Sequence, residues 1–498
     1  MHEKYIISEQ LQKAREYQER ELGNLQLAPK QRFHVCAPVG WINDPNGFSV
    51  YQGEYHLFYQ YHPYSTVWGP MHWGHVKTKD FICWEQLPPA LAPDTDYDKY
   101  GCFSGSAVQW KDKHVLLYTG VSRVQGEHKG GVRQTQCVAV GDGINYEKSS
   151  LNPVISADSL PAGSSPVDFR DPLVWVEDDV FYLVAANRAK DGSGQIVYYK
   201  SDNLEQWELE SVLYESRNEF GRMWECPDLF RLGGKDILMF SPQEVERNDE
   251  FHSGNCTAFM IGDFNKEEKS FIREEIHAVD YGLDFYAPQT VKTLDGRRVL
   301  IGWMASWDNP LYAEAFGWSG CMSIPRELIL VNNRIYQQPV KELECYRTNP
   351  FSLKEKVIQG VQEWEELNGR FLDITIELEG DQYSRFTLQA AVNESCHTDL
   401  IYHREQSEFE INREYSGLAR DAIACRRIPV EEKDNRFKMR VILDRYSVEV
   451  FMNDGEKVMS MLIFTDINAD RVRLIAEGSV KANIVKYEIG TLRDLCKT

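Results

Sequence analysis

Three short segments place an acid in a repeated setting: Trp41-Ile-Asn-Asp-Pro-Asn-Gly47, Phe169-Arg-Asp-Pro172 and Trp224-Glu-Cys-Pro-Asp228. Asp44 and Asp171 directly precede a proline, and Glu225 stands one residue further back. A single Asp before Pro is most often a turn residue. Three acids in one local setting, each heading a β-rich hairpin with aromatic residues beside it, suggest that the fold gathers them at one place. Such a set suits hydrolysis of a glycosidic bond. That reaction needs one carboxylate to attack or to activate water, and one protonated carboxyl to release the leaving oxygen. Crowding itself helps, because neighbouring carboxylates raise the proton affinity of one another.

The elements that must position these acids repeat. A strand, a polar or Gly-containing turn and an apolar-aromatic strand recur at residues 48–60, 107–119, 173–185, 229–241 and 290–304. Their starts are spaced by about 60 residues, which leaves room for two further strands per repeat. Strand-like runs fill that space at 72–79, 135–141, 195–202 and 256–262. Five four-stranded units read as a five-bladed β-propeller over residues 32–345. Equivalent positions of the blades lie on a ring, so Asp44, Phe103, Ser104, Asp171, Glu225 and Tyr286 are expected at one mouth of the channel.

Residues 1–31 read as a helical extension, with a helix over 8–22 opened by the Ser8 N-cap. Segments 370–381, 386–393, 437–445 and 446–456 alternate or pair around turns and predict a C-terminal antiparallel β-sandwich over 350–498. The expected fold class is therefore all-β. No low-complexity linker separates the two parts, so they are expected to pack together.

Composition narrows the partners. Hydrophobic residues make up 42% and charged residues 26% of the 498 residues, an ordinary globular balance. A formal charge of −21 argues against nucleic acid and anionic membrane. No run reaches the ~20 apolar residues of a membrane span. The N-terminus lacks the order of a signal peptide, which implies a cytoplasmic protein with reduced thiols among its 11 cysteines.

With those segments in hand, the chain resembles glycoside hydrolase family 32, the invertase and sucrose-6-phosphate hydrolase group. Trp41–Gly47 matches the opening motif, with Ile42 where Met or Leu is common. Phe103-Ser-Gly-Ser106, Phe169–Pro172, Glu225-Cys-Pro-Asp228 and Phe285-Tyr-Ala-Pro-Gln289 match later motifs, and Leu443–Phe451 extends the likeness into the sandwich. The resemblance implies that Asp44 is the nucleophile, Glu225 the general acid/base, and Asp171 the acid that binds fructose hydroxyls and stabilises the transition state. It implies a small sugar, sucrose 6-phosphate or sucrose, as the substrate, with no cofactor and no metal. A fructan hydrolase, an inverting pentose-chain hydrolase and a non-catalytic sugar-binding propeller are the alternatives.

For the sugar contacts, Asn43, Gln60 and Ser104 offer neutral hydrogen bonds, while Trp41, Trp68 and Phe103 offer ring faces. Tyr286 and Trp303 stand behind them. Arg170 is expected to keep Asp171 ionised and to reach a sugar hydroxyl. His72 and His75, three apart on a strand, point to opposite faces and make no metal pair. Cys226 reads as a wall residue, since no histidine base is placed near it.

Overall fold

In a computed structural model, the structure describes residues 5–25, 29–123, 131–309, 316–417 and 422–490. The sequence-predicted extension and sandwich therefore include residues, 1–4 and 491–498 among them, that lie outside the described ones. The chain forms a five-bladed β-propeller followed by a β-sandwich. Each repeat folds as a meander. Blade I holds strands Gly40–Tyr51, Glu54–His62, His72–Thr78 and Trp84–Leu91, and blade II runs from Gly101 to Lys148. Blade III runs from Phe169 to Glu215, blade IV from Trp224 to Ala278, and blade V from Tyr286 to Pro339.

Blade I differs from the expected four strands. The short strand Trp318–Ser319, which interrupts blade V, pairs parallel with Gly40–Trp41 and adds a fifth. Backbone bonds from Ala37 to the Gly320 carbonyl and from Met322 to the Val35 carbonyl continue the join. The end of the propeller is thus stitched to its beginning, which closes the ring without a covalent link.

The innermost strand of every blade slips register near its start. The breaks fall between Ile42 and Pro45, Phe103 and Gly105, Arg170 and Leu173, Glu225 and Asp228, and Tyr286 and Gln289. Sequence dictates this. Pro45, Pro172, Pro227 and Pro288 lack the N–H a ladder needs, and Gly105 supplies the equivalent flexibility in blade II. Asp171, Cys226 and Ala287 take left-handed φ values of 61°, 51° and 51°. Such a bulge bends the strand and re-aims its side chains.

The Ser8 hydroxyl caps helix Glu9–Asn24 by accepting from Leu11 N at 3.1 Å. Arg15 and Gln18 tie this helix to blade I through the carbonyls of Pro89 and Leu87.

In the sandwich, two long strands, Arg347–Glu363 and Arg471–Ile489, pair along most of their length. The second gives its first half to strand Tyr383–Val392 and its second half to Leu372–Glu379. Both change layer near Gly360 and Gly478, each at positive φ. The two layers are therefore one continuous sheet folded over an apolar core that includes Leu388, Tyr402, Phe437, Val450 and Ile484.

A buried ionic cluster joins the two parts. Arg326, fully buried in blade V, reaches Asp280 Oδ2 at 2.9 Å and Glu449 Oε2 of the sandwich at 2.5 Å. His34 places Nδ1 2.7 Å from Asp444 and Nε2 2.8 Å from Glu449. Burial disfavours charge on His34, but the bonds and charges of Asp444 and Glu449 outweigh it and lift its pKa to about 9. Arg413 pairs with Asp284 in the same layer.

Removing one member of such a cluster leaves buried charge uncompensated. Arg326→Met should lower unfolding stability by about 3–5 kcal/mol in chemical denaturation. The exposed pair Arg436–Glu377 serves as the control, where Arg436→Ala should change it by less than about 1 kcal/mol. The cluster also sets an alkaline limit. The His34 pKa is raised on folding, so its contribution is complete below about pH 6.5 and is lost as pH climbs through about 9. Melting temperature should fall across that window, and His34→Gln should flatten the fall.

Candidate active site

The bulges bring the acids to one mouth. Asp44 Oδ2 accepts from Ser104 Oγ at 2.8 Å, and Oδ1 accepts from Asn43 Nδ2 at 3.0 Å. Asn43 is itself held by Trp41, whose Nε1 donates to Asn43 Oδ1 at 2.8 Å. Asp171 Oδ2 accepts from the Cys226 backbone N–H at 2.9 Å. The Cys226 thiol sits between two of the acids, 3.8 Å from Asp44 Oδ2 and 3.7 Å from Asp171 Oδ2.

Glu225 is gripped on both oxygens. Arg170 donates from Nε and Nη2 to Oε1 at 3.0 and 2.9 Å. Gln243 Nε2 and the Tyr286 hydroxyl donate to Oε2 at 2.8 and 2.6 Å. Arg170 is held from behind by Asp168 Oδ1 at 3.3 Å and Gln134 Oε1 at 3.4 Å.

This geometry revises the part expected of Arg170. Its guanidinium turns to Glu225 and leaves Asp171 Oδ2 4.0 Å from Nε. Burial raises the Asp171 pKa to about 7. Arg170 opposes the rise, while the charges of Glu225 and Asp44 add to it. Burial also raises Asp44, with Glu225 adding to the effect and the Asn43 and Ser104 hydrogen bonds resisting it. One guanidinium shared among three acids does not neutralise them all.

The other expected residues divide into two groups. Ser104, Asn43 and Arg170 touch an acid directly. Trp68, 48% exposed, meets the half-buried Phe103 edge-on at 6.0 Å, so these two rings form an accessible wall. Trp41 differs from expectation. It is 1% exposed and packed against Trp303 and Trp307, so it orients Asn43 and offers no open ring face. Gln60 is buried and donates to the Cys102 carbonyl at 3.0 Å, bridging blades I and II. His75 pairs with His56 at 2.9 Å, and His72 faces the Pro70 carbonyl. Among the described residues no group of three or more His, Cys, Asp or Glu side chains is arranged to hold a metal ion.

Sequence reading missed Gln243 and Thr119. Gln243 follows Ser241-Pro242 at the end of the second strand of blade IV, a second X-Pro signal that was available. Thr119 accepts the Asp171 N–H at 2.9 Å and carries no motif of its own.

Acids from blades I, III and IV meet at one mouth, and such a group of carboxylates is what a glycoside hydrolase needs. The comparisons make the class specific. Residues 34–339 match the N-terminal domain of glycosyl hydrolases family 32, and residues 341–490 match that family's C-terminal domain. The chain belongs to this family and is a glycoside hydrolase of the β-fructofuranosidase type.

It is 35% identical over 470 residues to a sucrose-6-phosphate hydrolase of Zymomonas mobilis, covering 89% of this chain and 88% of that one. A raffinose invertase of Escherichia coli is 35% identical over 450 residues, at 89% and 91% coverage. The structure of a Bombyx mori GH32 β-fructofuranosidase superposes with a TM-score of 0.82 and 35% identity, at 96% and 98% coverage. No helix among the described residues is long and apolar enough to cross a membrane.

The raised Asp171 has a measurable consequence. Its folded-state pKa exceeds the unfolded value, so between about pH 4 and 7 the native state holds a proton the unfolded chain has lost. Stability therefore falls as pH rises through that window. Asp171→Asn should raise stability near pH 8 by about 1–4 kcal/mol in denaturant titrations, while turnover is lost.

Proposed function

We propose that the protein cleaves the fructosyl bond of sucrose 6-phosphate or sucrose by double displacement through a fructosyl-enzyme. Asp44 attacks the anomeric carbon, Glu225 protonates the leaving oxygen and later takes a proton from water, and Asp171 holds fructose hydroxyls. The observation that carries this reading is the opposite dress of two carboxylates. Asp44 meets neutral donors, Asn43, Ser104 and the Cys226 thiol, and keeps an attacking lone pair available. Glu225 is fixed by a guanidinium and two neutral donors, as a group that gives and regains a proton in one orientation must be. Asn43, Ser104, Arg170 and Gln60 lie in or beside the fructose site, and Trp68 with Phe103 flanks the leaving sugar. Names of relatives support the substrate class, since they include a sucrose-6-phosphate hydrolase and a raffinose invertase. In this reading the propeller at 32–345 carries the chemistry.

Asp44→Ala should reduce kcat by about 10⁴-fold or more while sucrose still binds, as read by calorimetry beside initial rates. Near-normal turnover would remove Asp44 from the nucleophile role. With methanol as acceptor, NMR of the transfer product should show the β-fructofuranoside; the α anomer would exclude double displacement. Parallel kcat/KM values for sucrose, sucrose 6-phosphate and inulin separate the phosphorylated disaccharide from the free sugar and from fructan chains.

A further inference from the structure

Glu225 has to be an acid in one half-reaction and a base in the other, yet four donors surround its carboxyl. Donors to a carboxylate stabilise the charged form and weaken the acid. The geometry shows which oxygen can carry the proton. Oε1 receives two N–H groups of Arg170, and a guanidinium keeps its protons at any working pH. The proton therefore sits on Oε2, where Gln243 and Tyr286 donate.

Once Oε2 bears hydrogen it has less room for two donors, and its own O–H must point to the leaving oxygen. Among the described residues, Gln243 Nε2 bonds Glu225 alone. The Tyr286 hydroxyl has a second acceptor, the Ser241 carbonyl, at 3.2 Å, and an O–H rotates freely about its C–O bond.

We propose that Tyr286 is a positioning residue that follows the proton on Glu225. Its hydroxyl donates to Oε2 while Glu225 is a carboxylate and turns to the Ser241 carbonyl when Oε2 is protonated. This rests on Glu225 being the acid/base. In the first half-reaction the Oε2 proton moves to the glycosidic oxygen as Asp44 bonds the anomeric carbon and the C–O bond breaks. In the second, water bonds that carbon, the ester to Asp44 breaks and the water proton returns to Oε2.

Tyr286 loses no proton in either step. Burial, with Glu225, Cys226 and Asp44 beside it, pushes its phenol well above the usual value. Around Glu225 the other charged and titratable groups are Arg170 with Asp168 behind it, Asp171, Asp44 and Cys226. Of these only the Cys226 thiol is a neutral donor with two acceptors, and those are Asp44 and Asp171, not Glu225.

The test is the pH profile of kcat/KM for sucrose in the wild type, Tyr286→Phe and Glu225→Gln. Tyr286→Phe should move the basic limb up by about 0.5–1 pH unit, because a donor to the carboxylate is gone, and leave the acidic limb in place. A basic limb that stays or moves down overturns the proposal, whatever happens to kcat. Wild-type crystals above and below that limb test the turning without a variant. Below it the Tyr286–Ser241 contact should shorten to about 2.8 Å as the Glu225 contact lengthens; equal distances in both overturn it. A Glu225→Gln enzyme that keeps its turnover and basic limb would overturn the acid/base reading, and the proposal with it. Loss of both, with an unmoved limb in Tyr286→Phe, overturns the proposal alone.

Discussion

A proline cannot donate to a β-ladder, and a residue at left-handed φ cannot continue one. The innermost strand of four blades carries such a proline near its start, and three of these strands set a left-handed, non-glycine residue immediately before it or as its own partner in the break. The N–H groups so released are buried and must find acceptors. They find them on the preceding blade: Asp171 N–H on Thr119 of blade II, Cys226 N–H on Asp171 of blade III, and Ala287 N–H on Ser241 of blade IV. The same bulge that aims a side chain into the mouth therefore bonds each blade to its neighbour. Ser104 on Asp44 joins blades I and II, and Gln289 spans from blade V to Phe48 N–H of blade I. Site and ring closure have one origin.

The sandwich acts on the same mouth from a distance. Residues 280–284 lead directly into the innermost strand of blade V. Tyr281 and Leu283 donate to the Val458 and Ser460 carbonyls of the sandwich, each at 2.8 Å. Asp280 is held by Arg326 and by Ser460, and Asp284 by Arg413 and the Leu462 N–H. Two residues after Asp284 comes Tyr286, whose hydroxyl meets Glu225. A buried ionic cluster carries a large desolvation cost and is weak evidence for stability as such. Here it fixes the approach of one strand, and so the position of a donor to Glu225.

Much of this was legible in the sequence because its signals are local. Acid-Pro segments, hairpin turns and a repeat near 60 residues are set by backbone chemistry, so the blades, the mouth and the grouping of Asp44, Ser104, Asp171, Glu225 and Tyr286 followed from them. The orientation of side chains was not. Arg170 is adjacent to Asp171 in the chain, but a left-handed Asp171 turns its carboxyl away and leaves the guanidinium to Glu225. Trp41 has a motif position facing the mouth, yet its ring is claimed by Trp303 and Trp307 from another blade. Thr119 and the closing strand Trp318–Ser319 carry no pattern, since what defines them is the partner they meet. The continuous folded sheet of the sandwich depends on where two long strands change layer, which alternation alone does not mark.

The charge balance of the mouth explains why it is built from neutral donors. Three carboxylates close together with one guanidinium repel each other, and burial raises both Asp44 and Asp171. A second buried cation would relieve the repulsion, but it would also hold every acid ionised and leave no group to release a leaving oxygen. Serine, asparagine, glutamine, a tyrosine hydroxyl and a backbone N–H stabilise each acid by smaller steps. They do so without fixing its protonation state, because each can lose or redirect a hydrogen bond at modest cost. Asp171 shows the consequence most clearly. Its Oδ2 accepts the bond that joins blade IV to blade III, so a neutral backbone donor holds the acid in place and adds no cation to it. Two of the acceptors that join one blade to another, Asp44 and Asp171, are thus carboxylates of the site itself, and the donors they meet are neutral.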